Sequence, residues 1–452
     1  MKWLSFSVIA LISSPIAASQ RVGVECGRHR PLSFTQGCHS MKLFPFAIVA
    51  LLSLPVGASQ VEVLHWWTSG GEAKAVEVLK SEWTEQGNQW NDFAVQGGGG
   101  KSAMTVLKSR ALAANPPEAA HLKGYELREW AGLGFLRDLT PMAEHLGWYP
   151  QLPAMVRETL SQNGALMAVP TGIHRVNWLW LNRKVFDKLE LTPPTDWNQF
   201  VVVAEQLKAQ NITPLAIGNE PWQLAVLFET VALGEGGKDF YRKAFVELDG
   251  ATLTGPDMVR VLTRFQQLRA YVPKSFVGLK WHQATTQLET GEAAMQLMGD
   301  WVKGELSVSN YRPGEDIECL PSPGSDGLFS YNLDSIAMFK QRDPAQLQAQ
   351  GELAQLLMTP RFQQEFNRVK GSIPALTKPD MSKFDRCALR SYQDFLLAER
   401  EGNLLPSMAE GMATPTNMRQ AIMDVLSNFF NDPNANPQQT ALHLERAMRS
   451  TR

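Results

Sequence analysis

Cysteine is scarce in this chain of 452 residues: there are four, and two of them, Cys26 and Cys38, fall within the first 40 positions. The other two, Cys319 and Cys387, are too far apart for a Cys-x-x-Cys metal or redox motif. No His-Glu-x-x-His occurs and the eight histidines are scattered, so no metal centre is expected. Positive charge is not in excess either. Lys and Arg number 43 against 45 Asp and Glu, without basic runs, and that leaves no electrostatic footprint for nucleic acid. Beyond residue 58 no stretch reaches 18 uninterrupted apolar residues, so nothing downstream reads as a membrane-spanning helix. The glycine run also falls short of a nucleotide loop. "GGGGKS" (97–102) ends like a phosphate loop, but the glycine needed six positions before Lys101 is Val95. The run reads instead as a loop that lets backbone approach a cleft closely.

What is present begins with an export signature. "MKLFPFAIVALLSLPVGASQ", from Met41, has a basic residue, an apolar stretch and small residues before a cleavage point after Ala58. Residues 1–20 repeat it with half their positions identical. The reading is that Met41 starts translation, 1–40 is an upstream duplication or extension, and 41–58 is a signal peptide that sends the chain to the periplasm; a start at Met1 with the first signal used leads to the same compartment. Removing 58 residues leaves 394, enough for two domains, with a net charge of −6 by count. In an oxidising compartment Cys319 and Cys387 are an even pair, open to a single disulfide.

The mature part alternates strands and helices. "VEVLHWW" is rich in β-formers. "GGEAKAVEVLKSEWTEQG" follows with helical spacing at Ala73, Val76, Leu79 and Trp83 and a glycine stop. "DFAVQGGGG" reads as a second strand, "SAMTVLKSRALAAN" as a second helix and "AAHLKG" as a third strand. This βαβαβ start implies a parallel sheet covered by helices. A more helical half follows Pro170.

"LHWWTSGGE" (64–72) sets Trp66 beside Trp67, then a glycine turn and Glu72. Two readings are open: core packing, or one wall of a ligand site. Strand neighbours point to opposite faces, so both indoles reach a ligand only if the strand ends before them, which Gly70 and Gly71 make plausible. Trp178 and Trp180 alternate along a strand and read as core. Trp83, Trp90, Trp130, Trp148, Trp197 and Trp222 read as packing or surface aromatics.

Three phrases, "ALMAVPTGIHRVNWLWLNRKVFDKLELTPPTDWNQF", "TGEAAMQLMGDWVKGE" and "RFQQEFNRVKGSIPAL", resemble solute-binding proteins of sugar ABC importers, above all periplasmic glucose-binding proteins of Gram-negative bacteria. The resemblance runs from about residue 60 to the C-terminus. It implies a two-lobed α/β periplasmic-binding-protein fold of class II, each lobe a sheet flanked by helices, with ligand in the cleft between them. The implied lobes are 60–169 with 326–370, and 170–325 with 371–452. Hinge closure would seal the ligand in.

A pyranose offers C–H faces that suit indoles and hydroxyls that suit charged donors and acceptors. Trp67, with Trp66 beside it, becomes the candidate stacking wall, and Glu72 a hydroxyl acceptor. The resemblance further implies Lys123 after the third strand, Trp301 opposite Trp67, Trp281 as a third aromatic, Asn332 and Asp334 as amide and carboxylate, and Lys370 as a donor. His174 reads equally as cleft or structural, and Asp300 as a ligand contact or a helix cap. One position departs: glucose-binding relatives usually carry histidine where this chain has Glu410. An obligate acceptor there changes which hydroxyl is satisfied, and a buried polar mismatch costs about 1–3 kcal/mol.

The resemblance also implies partners: a small-molecule sugar, membrane permease subunits driven by a separate ATPase, and a chemoreceptor, with the chain acting as a monomer and without a cofactor. The rival readings are an exported glycosidase, which needs two carboxyls flanking one bond, and a binding protein for another solute. An amino acid calls for an arginine clamp, and a polyamine site would not tolerate Lys123 and Lys370.

Overall fold

The computed structural model describes residues 58–273 and 275–451; the stretches read as an upstream duplication and, except Ala58, as a signal peptide lie outside them. The expected βαβαβ start is present. Strand Gln60–His65 pairs in parallel with Gln89–Ala94 on one side and with Ala119–Leu122 on the other. Helix Gly70–Glu85 connects the first two, burying Ala75, Val76, Leu79 and Trp83 at three- to four-residue spacing, while Ala73 faces solvent. Each large apolar side chain buried this way contributes about 1.5–3 kcal/mol.

The sheet does not stay parallel. The long strand Phe329–Met338 enters antiparallel beside Ala119–Leu122 and also pairs antiparallel with Ala168–Arg175 and parallel with Leu404–Pro406. Chain arriving from the other half sets these directions, which the local βαβ pattern does not encode. A second sheet runs in the order Ile317–Pro321, Trp178–Asn182, Ala293–Leu297, Thr213–Leu215, and only its last pair is parallel. Each sheet has its own apolar core. Trp178 and Trp180 are buried beside the second, as expected.

One boundary differs from the sequence reading, which placed everything after 370 with the second half. Ile373, Phe384, Ala388, Phe395 and Ala398 belong to the first core, and strand Leu404–Pro406 to the first sheet. Helix Arg386–Glu401 turns its apolar face onto this sheet, with the Phe395 ring 5.6 Å from that of Phe329. The chain rejoins the second core only from about 405 onward.

Cys319 and Cys387 are joined as a disulfide, tying the second sheet's edge strand to helix Arg386–Glu401. Their separation of 68 residues corresponds to about 4 kcal/mol of denatured-chain entropy in the loop-closure picture. Reduction is therefore expected to lower the urea midpoint clearly. An unchanged midpoint with two titratable thiols would show that the link does not stabilise the fold.

Candidate functional site

Strand Gln60–His65 ends before the tryptophan pair, so Trp66 and Trp67 sit in the loop between strand and helix and both line one cavity of about 760 Å³. Ser69 starts the helix that follows. Glu72 Oε2 accepts from the Thr68 and Ser69 amides at 3.2 and 3.4 Å and from Ser69 Oγ at 3.1 Å. Its other oxygen faces Lys370 Nζ at 3.5 Å. Glu72 thus secures the helix start while lining the cavity, so only part of its carboxylate is free to meet a ligand.

The remaining candidates arrive from distant parts of the chain. Lys123 follows the third strand and is ion-paired with Glu410, both buried. Its ammonium lies 5.7 Å from the Trp66 ring centre, and that of Lys370 lies 5.9 Å from the Trp67 ring. Asn332 and Asp334 project from the long strand, and Trp281 and Trp301 come from the second half. All ten residues named from the sequence line the same cavity. Glycine lets the wall close up, as expected of the 97–100 run. A Cβ on Gly100, where φ is +78°, would lie 2.9 Å from the Trp66 ring.

At the buried end an alternating row of charges joins the halves. His174 Nδ1 meets Asp300 at 2.5 Å and its Nε2 meets Asp334 at 3.2 Å. Asp300 also accepts from the Arg175 amide at 2.9 Å and does not line the cavity, so it orients His174 rather than a ligand. Burial by itself would depress the His174 pKa; the charges of Asp300 and Asp334 outweigh it and hold the ring above the ordinary histidine value. For Asp334 burial pulls upward, but His121 and His174 prevail and hold it well below the usual carboxylate range. His121 goes the other way: burial lowers it, and Asp334 only partly offsets this. Asn332 Nδ2 donates to Asp334 Oδ1 at 2.9 Å, while Asn332 Oδ1 and Trp301 Nε1 are buried without a partner in the protein. Such groups are costly unless something hydrogen-bonds to them.

Residues 68–346 match the family described as bacterial extracellular solute-binding protein. A probable sugar-binding periplasmic protein of Brucella suis is 43% identical over 82% of this chain and 88% of its own length. The chain belongs to this family. A probable sugar-binding periplasmic protein of Rhizobium meliloti is 41% identical, covering 82% of this chain and 89% of itself. Among solved structures, the bacterial solute receptor AcbH, described as having an exclusive preference for β-D-galactopyranose, superposes with a TM-score of 0.75 at 17% identity. That match covers 87% of this chain and 100% of AcbH. The likeness places this solute-binding protein in the two-lobed α/β fold.

Three of the cavity residues that sequence reasoning did not place in the site of the solute-binding protein are His121, Trp222 and His174. His121 lies under the tryptophan pair, its ring 4.0 Å from that of Trp66 and 4.2 Å from that of Trp67. Its Nε2 is 3.2 Å from Asp334 Oδ1, off the line of a hydrogen bond. The signal was the parallel register, which pairs Leu64 with Ala120 and so carries His121 to the level of the tryptophans. Trp222, read as a packing or surface aromatic, is partly buried against an apolar cluster of the second half and also lines the cavity, where Pro221 starts its helix and Gly99 leaves room for its ring. His174, left undecided, both lines the cavity and holds Asp334.

Proposed function

We propose that this solute-binding protein captures a monosaccharide, glucose or a related sugar, between its lobes in the periplasm and delivers it to an ABC importer. One observation carries the reading: a single cavity combines indoles from both halves, Trp66, Trp67 and Trp301, with buried Asp334, Asn332 and Lys370. Indole faces suit the C–H faces of a pyranose, and charged groups make the stronger hydrogen bonds to its hydroxyls. The sugar-binding names of the relatives above 40% identity support it. A ligand touched by both lobes stabilises only the closed form and so shifts the population toward it. Micromolar affinity corresponds to about −8 kcal/mol, within reach of two stacking faces and several charged hydrogen bonds. In this reading a signal peptide is removed on export. The loaded monomer docks on permease subunits powered by a separate ATPase and is shared with a chemoreceptor.

The carboxylates around the cavity argue for capture over hydrolysis. Glu72 pairs with Lys370, Glu410 with Lys123, Glu220 with Lys280, and Asp334 with two histidines. A glycosidase needs one carboxyl kept protonated as an acid, and a cationic partner works against that. Among the described residues no arginine lines the cavity, which tells against an amino-acid carboxylate.

The test is a thermal-shift screen of the chain from Ser59 with D-glucose, D-galactose, D-xylose and maltose. A sugar at a hundred times its dissociation constant should add about 2.7 kcal/mol. A shift with glucose supports glucose-type specificity; a shift with another sugar alone places the change in specificity near Glu410. No shift with any sugar overturns the reading. Trp67→Ala is expected to weaken binding at least about tenfold and, because Trp67 is buried, to cost about 3–5 kcal/mol of stability. Calorimetry showing unchanged affinity would remove Trp67 from the site.

A further inference from the structure

We infer that Glu229, which does not touch the cavity, is a positioning residue that holds Glu410 in its place there. The inference rests on the reading of Glu410 as part of the sugar site. Glu229 lies on helix Pro221–Val231 and is 1% exposed. Its carboxylate collects donors from two directions. Ser330 Oγ donates from the long strand Phe329–Met338, while Oε2 accepts from Ser407 Oγ and from the Ala409 amide, each at 2.8 Å. Ser407 Oγ in turn accepts from the Glu410 amide at 3.0 Å. Tyr241 holds the same turn from the side: its hydroxyl donates to Pro406 O at 2.9 Å and accepts from the Met408 amide at 3.0 Å. Residues 406–410 are therefore fixed by two buried side chains of the second half. The turn then delivers the Glu410 carboxylate to Lys123, whose ammonium lies over Trp66.

A carboxylate suits this place because it only accepts. Both the Ala409 N–H and the Ser407 hydroxyl are donors, and the hydroxyl must point at Glu229 to leave its lone pairs for the Glu410 amide. An amide at 229 keeps the shape but turns one acceptor into a donor. Protonation of Glu229 does the same. Burial lifts its pKa to about 7, the three hydrogen bonds it accepts notwithstanding, and the charge of Glu410 adds to the lift. The titratable groups facing it are Glu410 and Tyr241, with Lys123 beyond Glu410. Ligand affinity should therefore fall as the pH drops through about 7, and this part of the pH response should vanish when residue 229 cannot ionise.

The experiment is a double-mutant cycle by calorimetry, using whichever of D-glucose, D-galactose, D-xylose and maltose gives the largest thermal shift. Glu229→Gln is expected to weaken binding about fivefold or more, the worth of one buried hydrogen bond, and to flatten the affinity between about pH 8 and pH 6 relative to the unaltered protein. With Glu410→Gln already present, Glu229→Gln should have no further effect, because both changes act through one carboxylate. Glu229→Gln binding within about twofold of the unaltered protein, or penalties that multiply in the double variant, overturns the inference. If Glu410→Gln itself leaves binding unchanged, the reading of Glu410 fails and takes the inference with it. Should Glu229→Gln not fold, Ser407→Ala breaks the same link while keeping Glu229, with the same expected weakening. Unchanged binding there overturns the inference equally.

Discussion

Replacing Gly71 by alanine is expected to weaken ligand binding about a hundredfold or more while leaving the unliganded protein as stable as before. Gly71 opens the helix that follows the tryptophan pair, and that helix packs on the first core. Against it lies Gly304, on helix Val302–Val308 beside Trp301 in the second half. A Cβ on Gly71 would stand 2.3 Å from the Gly304 carbonyl carbon and 2.7 Å from the Glu305 amide nitrogen. These are backbone atoms and cannot swing aside. The Gly71 amide donates to Glu305 Oε1 at 2.8 Å across the same contact. An alanine would keep the helices apart, so the arrangement in which both halves surround the cavity would become rare. Apparent affinity falls in proportion to the population of the binding-competent form, and a closed fraction near 1% costs about a hundredfold. Alanine is the better helix former, so the separated halves lose nothing. Calorimetry together with small-angle scattering, with and without sugar, reads both quantities. Unaltered affinity would mean that the helices part without penalty and that ligand capture does not depend on this close approach.

The second large effect is expected at Asp334. Asp334→Asn removes the charge that His121 and His174 share and that Asn332 hydrogen-bonds. On the proposed reading, in which Asp334 meets ligand hydroxyls, losing those charge-assisted contacts should cost about 2–3 kcal/mol, or roughly a hundredfold in affinity. The titration should shift as well. His174 is raised because Asp300 and Asp334 outweigh burial, so its pairing contributes stability that is fully present below the ordinary histidine pKa and lost as pH rises through the raised one. The depressed Asp334 carboxylate contributes above the ordinary carboxylate pKa, and that contribution is lost as pH falls through the depressed value. Between the two the pair is strongest. With Asn at 334 only Asp300 remains, so the His174 ring signals, followed by NMR, should titrate at lower pH than in the unaltered protein. A titration that does not move would show that Asp300 alone sets the charge on His174.

How much of the site could be read in advance varied with distance along the chain. The wall formed by Trp66, Trp67 and Glu72 sits within nine residues, and its logic is local: a strand ends, glycines turn, and Ser69 with Glu72 starts a helix. Lys123, Trp301, Asn332, Asp334, Lys370 and Glu410 were legible through the resemblance of whole phrases, not from spacing. His121 was missed because only the parallel register lifts it under the indoles. That Trp222 also reaches the cavity was not legible, because its placement there depends on Gly99, more than a hundred positions earlier. Residues 373–398 pack on the first core, which the sequence does not announce, because nothing local tells a helix which sheet its apolar face will cover.

The sequence by itself determined the alternating strands and helices, the parallel start of the first sheet, the glycine wall and the residue types that line the cavity, since caps, turns and periodicity act over a few positions. It also limited what the site can hold, by lacking an excess of basic residues and a complete phosphate-loop motif. Only the tertiary structure decided the pairings: Lys123 with Glu410, His174 between Asp300 and Asp334, Gly71 against Gly304, and Glu229 beneath the turn that carries Glu410. These join residues from 126 to more than 280 positions apart. Their energies depend on burial and on angles that exist only once both cores have formed, and no local pattern encodes a dielectric or a direction across a cleft.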